Sequence, residues 1–116
     1  MSVERFEVGP RMSQAVTHGG LVYLAGQVAD ETAGRSVRDQ ASQVLAKIDR
    51  LLALGGSDRT KILQTTIWLT DMSTYGEFNE VWDGWIDPAN PPARACIEAP
   101  LAHLDWKVEL MLVAAA

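Results

Sequence analysis

The clearest pattern in the sequence is the helical spacing of apolar side chains across residues 36–54. Apolar residues that recur with a period near 3.6 form one stripe on a helix, and this stripe comprises Val37, Ala41, Val44, Leu45, Ile48, Leu51 and Leu52. Ser36 can cap the helix, with Asp39 as the acidic half of a capping box. Gly55 and Gly56 follow, and glycine is typical of a helix end. The segment is therefore predicted to be an amphipathic helix.

A strand and a second helix are predicted next. Residues 61–70 alternate and are rich in β-branched side chains, which predicts a strand with Leu63, Thr65, Ile67 and Leu69 on one face and Ile62, Gln64, Thr66 and Trp68 on the other. From about residue 73 to residue 85 the spacing is helical again, with an inner stripe of Tyr75, Phe78, Val81, Trp82 and Trp85. The prolines that follow cannot continue a helix, so it is predicted to end near Asp87.

The remaining apolar runs predict strands at residues 4–8, 14–18, 21–25, 93–98 and 106–114. Gly19 and Gly20 are a two-residue turn signal between two of these runs, which predicts a hairpin, and Gly26 is predicted to end the third strand. The order β-β-β-α-β-α-β-β predicts one α+β domain, residues 1–116, with a six-stranded mixed sheet and two helices packed on one face. The other sheet face would then be bare, and we expect a symmetric oligomer to bury it.

Composition and charge narrow the possible functions. The chain is 47% hydrophobic and 22% charged, which is typical of a globular domain. Ten Lys and Arg against fifteen Asp and Glu give a net charge of −5, so we expect no nucleic-acid partner. No apolar stretch is long enough to span a membrane, and the charged N-terminal residues lack the apolar core of a secretion signal. We therefore expect a cytoplasmic protein without a membrane partner.

The sequence gives little support for a metal or a phosphate-binding loop. Cys96 is the single cysteine, which excludes an internal disulfide and a cysteine metal cluster. His18 and His103 lie far apart and lack the spacing of a metal-binding pair, so no metal site is expected. The glycine pairs lack the spacing and the lysine of a phosphate loop.

Charged residues near the end of the chain are the candidates for chemistry. Alternation puts Arg94, Cys96 and Glu98 on one face of the fifth strand. It puts Lys107, Glu109, Met111 and Val113 on one face of the last strand, so Arg94 and Glu109 could look into the same cleft. An arginine fork binds a planar carboxylate, and a nearby glutamate can hold or deprotonate a water. Together they fit hydrolysis at a carbon next to a carboxylate.

Simpler roles for these residues stay open at this point. Arg94 and Glu109 could form a plain cross-strand ion pair. Cys96 could be a small buried hydrophobic residue rather than a nucleophile, and His103 an exposed loop residue. Tryptophans are expected in the core or at a subunit interface more than in a ligand cage, and the four here are Trp68, Trp82, Trp85 and Trp106.

A series of short motifs, in order along almost the whole chain, suggests a family. "SQAV" at 13–16 and "LVYLAGQV" at 21–28 match the opening "YSQAV…YISGQ", and "FNEVW" at 78–82 matches an asparagine motif of a second helix. "PPARACIEA" and "KVELMLVA" match the signature, with Arg94, Cys96 and Glu109 at the family's own spacing. On these motifs the chain resembles the Rid family, the YjgF-type enamine/imine deaminases.

The resemblance implies a chorismate-mutase-like fold, a homotrimer with active sites in the clefts between subunits, and no metal or organic cofactor. It implies that Arg94 grips the substrate carboxylate and that Glu109 positions the attacking water. The backbone of Cys96 would contact the imine or enamine end of the substrate. Asn79 matches a family position near the cleft, and Gly26 is expected to contact the substrate.

One departure concerns Met12, a further expected substrate contact, which stands where the family has a tyrosine in the cleft. Methionine cannot donate a hydrogen bond, whereas a tyrosine hydroxyl can. Arg11, the preceding residue, could add a second contact to an anion or be a solvated surface residue.

The expected activity is hydrolysis of reactive 2-enamine or 2-imine acids to 2-keto acids and ammonia. Met12 would weaken this activity on small substrates or favour a larger, more apolar one. The alternatives are a deaminase of the same family for a different catabolic substrate, and a non-catalytic protein of the same fold that binds a small carboxylate.

Overall fold

The computed structural model describes residues 2–116 and contains the predicted order of six strands and two helices. The strands are β1 (Glu4–Val8), β2 (Ser13–His18), β3 (Leu21–Val28), β4 (Ile62–Leu69), β5 (Ala93–Glu98) and β6 (Val108–Ala115), and the helices are α1 (Val37–Leu54) and α2 (Tyr75–Trp85). In the sheet the strands lie in the order β1-β2-β3-β6-β4-β5. β4 and β5 are parallel and the other neighbours antiparallel, which confirms the α+β fold with a mixed sheet.

Both helices pack on one face of the sheet. α1 contacts β3, β6 and α2, and its buried stripe is the one that the apolar spacing predicted. The backbone N–H of Asp39 donates to the Ser36 side chain at 3.2 Å, so Ser36 is the N-cap. α2 follows a short 3-10 turn, Met72–Thr74, and adds Phe78 and Trp82 to the same core.

The third strand differs from its prediction. β3 does not end at Gly26 but continues to Val28, and its pairing with β6 shifts between Leu24 and Gln27. The shift is a one-residue bulge, because three steps along β3 match two steps along β6. A glycine inside a strand often marks such a bulge, and here it was misread as a strand end.

The faces predicted for the start of β4 are also wrong. The pairing of β4 with β6 shifts between Ile62 and Gln64, so that Ile62 is buried in the core and Leu63 is 49% exposed. Strict alternation assigned the two residues the other way round. An irregularity in a strand inverts the faces on one side of it, and residue spacing alone does not reveal it.

The sheet face opposite the helices is uncovered in a single chain. It carries Tyr23, Trp68, Met111 and Val113, and Tyr23 and Met111 are 41% and 44% exposed. Its burial in an oligomer stays a prediction. Among the described residues, no helix has the combination of length and hydropathy that crossing a membrane requires.

Candidate active site

Arg94, the predicted carboxylate anchor, lies on β5 and is held by two side chains of α2. Its Nη1 donates to Asn79 Oδ1 and its Nη2 donates to the Tyr75 hydroxyl, both at 2.9 Å. Tyr75 and Asn79 are four residues apart, so they lie on one face of α2. The helix thereby fixes the plane of the guanidinium group.

Aromatic rings surround the same guanidinium. Its Cζ lies 5.3 Å from the ring centroid of Trp82 and 5.7 Å from that of Tyr75. Cation–π contacts of this kind contribute about 0.5–2 kcal/mol. No carboxylate among residues 2–116 forms an ion pair with Arg94. A guanidinium has five N–H donors; Asn79 and Tyr75 accept from two of them, which leaves three for an anion.

Cys96 follows Arg94 on the same strand face and packs against the core. Burial raises the pKa of the Cys96 thiol, and the positive charge of Arg94 offsets only part of this effect. The thiol is therefore protonated near neutral pH and is a poor nucleophile. This environment fits the expectation that the residue acts through its backbone.

Glu109 lies on β6, between its register partners Val28 on β3 and Trp68 on β4. Burial raises the pKa of the Glu109 carboxyl, and no hydrogen bond or charge in residues 2–116 offsets it. The carboxylate lies directly against Gly26, where a Cβ would overlap Glu109 Oε2 and lie 3.0 Å from Cδ. The result is a half-buried acid without a partner, as suits a group that holds a water.

Arg94 and Glu109 lie on opposite faces of the sheet, so the prediction that they share one cleft is wrong for a single chain. Arg94 points to α2, whereas Glu109 alternates with Val108 and Leu110, which are buried beneath the helices. Alternation predicts which residues of one strand share a face. It does not predict which face of β5 lies on the same side of the sheet as a given face of β6. A plain ion pair between them within one chain is excluded for the same reason.

Met12 lies immediately before β2 and is 53% exposed. It lines a surface depression of about 490 Å³ together with Arg11 and Gln14. Gln27 Nε2 donates to Gln14 Oε1 at 2.9 Å, so the start of β2 runs beside the bulge that contains Gly26. In the sheet, β2 and β3 are separated from β5, which carries Arg94, by β6 and β4.

The predicted site residues thus form two groups. An arginine half, on the helix-covered face, contains Arg94, Asn79 and Cys96, and a glutamate half contains Glu109 and Gly26. Met12 belongs to neither group and lines a depression that neither Gly26 nor Glu109 lines. Sequence reasoning missed the contribution of Tyr75 and Trp82 to the arginine half. Both were assigned to the inner stripe of α2. Tyr75 lies four residues before Asn79 and Trp82 three residues after it, and this spacing could have indicated that all three share a helix face.

Other features of the chain carry no comparable chemistry. His103 is exposed and stacks on Trp106, with ring centroids 5.2 Å apart. Within residues 2–116, no group of three or more His, Cys, Asp or Glu side chains could hold a metal ion. A depression of about 550 Å³ lies at the far end of the sheet, around the hairpin turn at Gly19 and Gly20.

Comparison with known proteins finds relatives over almost the whole chain. A family model described as Endoribonuclease L-PSP matches residues 4–116. A RutC family protein of Haemophilus influenzae is 41% identical over 114 residues, which cover 98% of each chain. The chloroplastic Reactive Intermediate Deaminase A of Arabidopsis thaliana is 33% identical and covers 92% of this chain and 59% of that protein.

Solved structures have the same fold. The crystal structure of a YjgF family member from Neisseria meningitidis superposes with a TM-score of 0.95 at 43% identity, over 99% of this chain and 95% of that one. A structure from Salmonella typhimurium, described as a putative translation initiation inhibitor, has a TM-score of 0.89 at 30% identity, over 99% and 98% of the two chains. By the family model, its relatives and its fold, the chain belongs to the Rid family, also called the YjgF or RutC family.

Proposed function

We propose that the protein hydrolyses 2-imino acids, and the 2-enamino acids that tautomerise to them, to 2-keto acids and ammonia. The observation that carries this proposal is the environment of Arg94: its charge has no carboxylate partner among residues 2–116, and neutral acceptors on α2 hold it in place. A rigid fork of this kind is suited to a planar carboxylate. A relative that is 33% identical is named a reactive intermediate deaminase.

The proposed reaction uses the two halves for different tasks. Arg94 binds the substrate carboxylate, and Glu109 accepts a proton from a water whose oxygen attacks C2. The substrate reacts as its protonated iminium form, C=NH2+, and the C2–O bond forms as the π electrons of the C=N bond move to nitrogen, which gives a neutral carbinolamine. Protonated Glu109 then gives its proton to this nitrogen, which regenerates the carboxylate. The C2–N bond breaks and ammonia leaves as the hydroxyl oxygen forms the C=O bond and its proton passes to solvent.

The proposal requires two copies of the chain for each site, since Arg94 and Glu109 face opposite sides of one sheet. The uncovered face that carries Glu109 is the surface available for a neighbour, whose arginine half would complete the cleft. We propose a homotrimer with one site at each interface. No cofactor takes part in the proposed reaction, and we propose that it takes place in the cytoplasm.

The test is ammonia release from freshly generated 2-iminopropanoate and 2-iminobutanoate. We expect the protein to accelerate release well above the spontaneous rate and Arg94→Ala to lose most of this acceleration. Arg38→Ala is the matched control, because Arg38 pairs with Glu80 on the solvent side of the helices. A wild-type rate equal to the spontaneous rate, on both substrates, would refute the proposal for small imino acids.

Met12 favours a second candidate function. The protein would either be a deaminase whose cleft is adapted to a different substrate, or bind a small carboxylate without turnover. Its side chain is exposed at the start of β2 and cannot donate a hydrogen bond. If the cleft is retuned, Met12→Tyr should raise turnover of small imino acids several-fold, since one hydrogen bond contributes roughly 0.5–1.5 kcal/mol. If Met12 instead packs in an interface of a binding protein, Met12→Tyr should lower the melting temperature and leave the rate unchanged. Rate and melting temperature measured on one sample separate the two.

RNA cleavage is the other activity that the description of the family model raises. The net charge of −5 disfavours binding to a polyanion, because affinity for RNA depends on cationic side chains that neutralise phosphates. We expect no cleavage of single-stranded RNA under conditions that give deaminase turnover. Cleavage that Arg94→Ala abolishes would assign the arginine to a phosphate rather than a carboxylate.

A further inference from the structure

Gly26 occupies a position whose backbone does not require glycine. Its φ is outside the left-handed region, in contrast to Gly20, Gly34 and Gly56, whose φ values are 78°, 82° and 79°. The restriction at Gly26 is one of space. A Cβ there would overlap Glu109 Oε2, lie 3.0 Å from Cδ and lie 3.4 Å from Cγ. All three nearest atoms belong to the glutamate side chain, so the space that a Cβ would fill is the space that the carboxylate fills.

The bulge of β3 forms the rest of this recess. The register shift between Leu24 and Gln27 leaves Ala25 and Gly26 opposite the single residue Met111 of β6. Bulges of this kind bend a strand locally and redirect side chains, and they are frequent beside active sites. The bend and the missing Cβ together let the Glu109 side chain lie along the sheet instead of extending into solvent.

We propose that Gly26 is a positioning residue for Glu109, and that its missing Cβ leaves the space in which the carboxylate lies when it holds the attacking water. This inference rests on the proposed function for its catalytic consequence. Its structural part, the dependence of the carboxylate position on Gly26, is independent of any reaction. The role adds to the substrate contact expected of Gly26 from the sequence.

The recess also controls how well water solvates the carboxylate. Burial is the cause of the raised pKa of Glu109. Its neighbours across the strands, Gly26, Val28 and Trp68, are uncharged, and Lys107, the nearest charged residue along the chain, contributes nothing to the shift. An alanine at position 26 would push the carboxylate outward, where solvation lowers its pKa.

The test compares Gly26→Ala with Gly84→Ala, because a Cβ at Gly84, on α2, meets no atom within 4 Å. We expect Gly26→Ala to lower kcat tenfold or more with little change in KM, since Arg94 still binds the substrate. Glu109 works as a base in its ionised form, so activity falls as pH drops through its pKa. In Gly26→Ala the acidic limb of the pH profile should therefore move to lower pH. Gly84→Ala should change neither quantity.

A direct titration separates this inference from the proposed function. The carboxyl carbon of Glu109, followed by NMR against pH, should titrate at lower pH in Gly26→Ala than in the wild-type protein, whether or not the protein is a deaminase. An unchanged Glu109 pKa together with an unchanged kcat would overturn the inference. An absence of wild-type deaminase activity would refute the proposed function, and the titration would still decide the role of Gly26.

A stability cycle covers the case in which Gly26→Ala does not fold. In a Glu109→Ala background the carboxylate is gone, so adding Gly26→Ala should leave the melting temperature nearly unchanged. In the wild-type background the same substitution displaces the carboxylate, so its effect on the melting temperature should differ from its effect in the Glu109→Ala background. Equal effects in the two backgrounds, or a double variant that also fails to fold, would show that the glycine serves a contact other than Glu109.

Discussion

At the scale of single residues, the candidate site contains two ionisable groups that have no ionic partner among residues 2–116. Within this part of the chain, Arg94 has only neutral acceptors, and burial raises the pKa of Glu109 without a partner that offsets it. Isolated charges in partly buried positions cost free energy, which is why structural charges are normally paired. Groups left in this state are candidates for binding a ligand and a water. In the proposed complex, the substrate carboxylate would be the partner of Arg94 and the attacking water would be the partner of Glu109.

Arg94→Lys should lose most of the activity although it keeps the positive charge. An ammonium group is a point donor and cannot bind Asn79, Tyr75 and a planar carboxylate at the same time as a guanidinium does. We expect kcat/KM to fall about 10- to 100-fold, corresponding to roughly 1.4–2.7 kcal/mol. Steady-state kinetics measure the loss, with Arg38→Lys as the control for an exposed ion pair. Full activity in Arg94→Lys would show that the planar fork is unnecessary.

Cys96 should contribute little through its sulfur. Burial raises the pKa of the thiol, so at pH 7 the reactive thiolate is a minor form. Cys96→Ala and Cys96→Ser should each keep most of the wild-type kcat/KM, and iodoacetamide should react slowly with the native protein. Complete inactivation by the reagent, prevented by substrate, would instead indicate a nucleophilic cysteine.

At the scale of elements, much of the fold follows from the sequence pattern, and the departures have one physical origin. The stripe of α1, its Ser36 cap and the turn at Gly19 and Gly20 were predicted because local spacing determines them. The bulges in β3 and β4 were not predicted. An extra residue in a strand is defined by its pairing with the neighbouring strand, and local residue spacing does not describe that pairing. The same limit applies to the site: motif spacing identified Arg94 and Glu109, but not their faces.

At the same scale, Gln40 connects α1 to the segment that leads into β6, the strand that carries Glu109. It is fully buried, and its Nε2 donates to the carbonyls of Arg35 and Asp105, both at 3.0 Å. Its Oε1 accepts from the Lys107 N–H at 2.8 Å, so α1 is tied to the segment leading into β6. Gln40→Leu leaves backbone groups without partners and should cost about 2–4 kcal/mol of unfolding free energy.

Thermal denaturation measures this loss, and a drop of roughly 10 °C is expected for a domain of this size. Ser42→Ala, at an exposed position of α1, is the control and should change the melting temperature by less than about 3 °C. A melting temperature for Gln40→Leu equal to that of the control would mean that the three hydrogen bonds add nothing to stability.

At the scale of the whole molecule, the two halves of the proposed site do not meet within one chain. The arginine half lies under α2, the glutamate half lies on the uncovered face, and the sheet separates them. If a neighbouring copy covers that face, one contact can both bury its exposed apolar residues and bring the two halves together. Activity would then depend on assembly, so a monomer should be inactive.

Mixing two inactive variants tests this arrangement directly. Arg94→Ala lacks the guanidinium and Glu109→Gln lacks the carboxylate that the proposed reaction requires, so each should be inactive alone. In mixed oligomers an interface between an intact Arg94 and an intact Glu109 from different copies is complete. Random assembly of a 1:1 mixture makes about a quarter of the interfaces complete, so co-refolding should restore about a quarter of wild-type activity. A mixture of Arg94→Ala with the double variant Arg94→Ala/Glu109→Gln should remain inactive, since it contains no intact arginine. Light scattering on the same samples establishes that assembly occurred, and assembled mixtures without restored activity would contradict a site shared between copies.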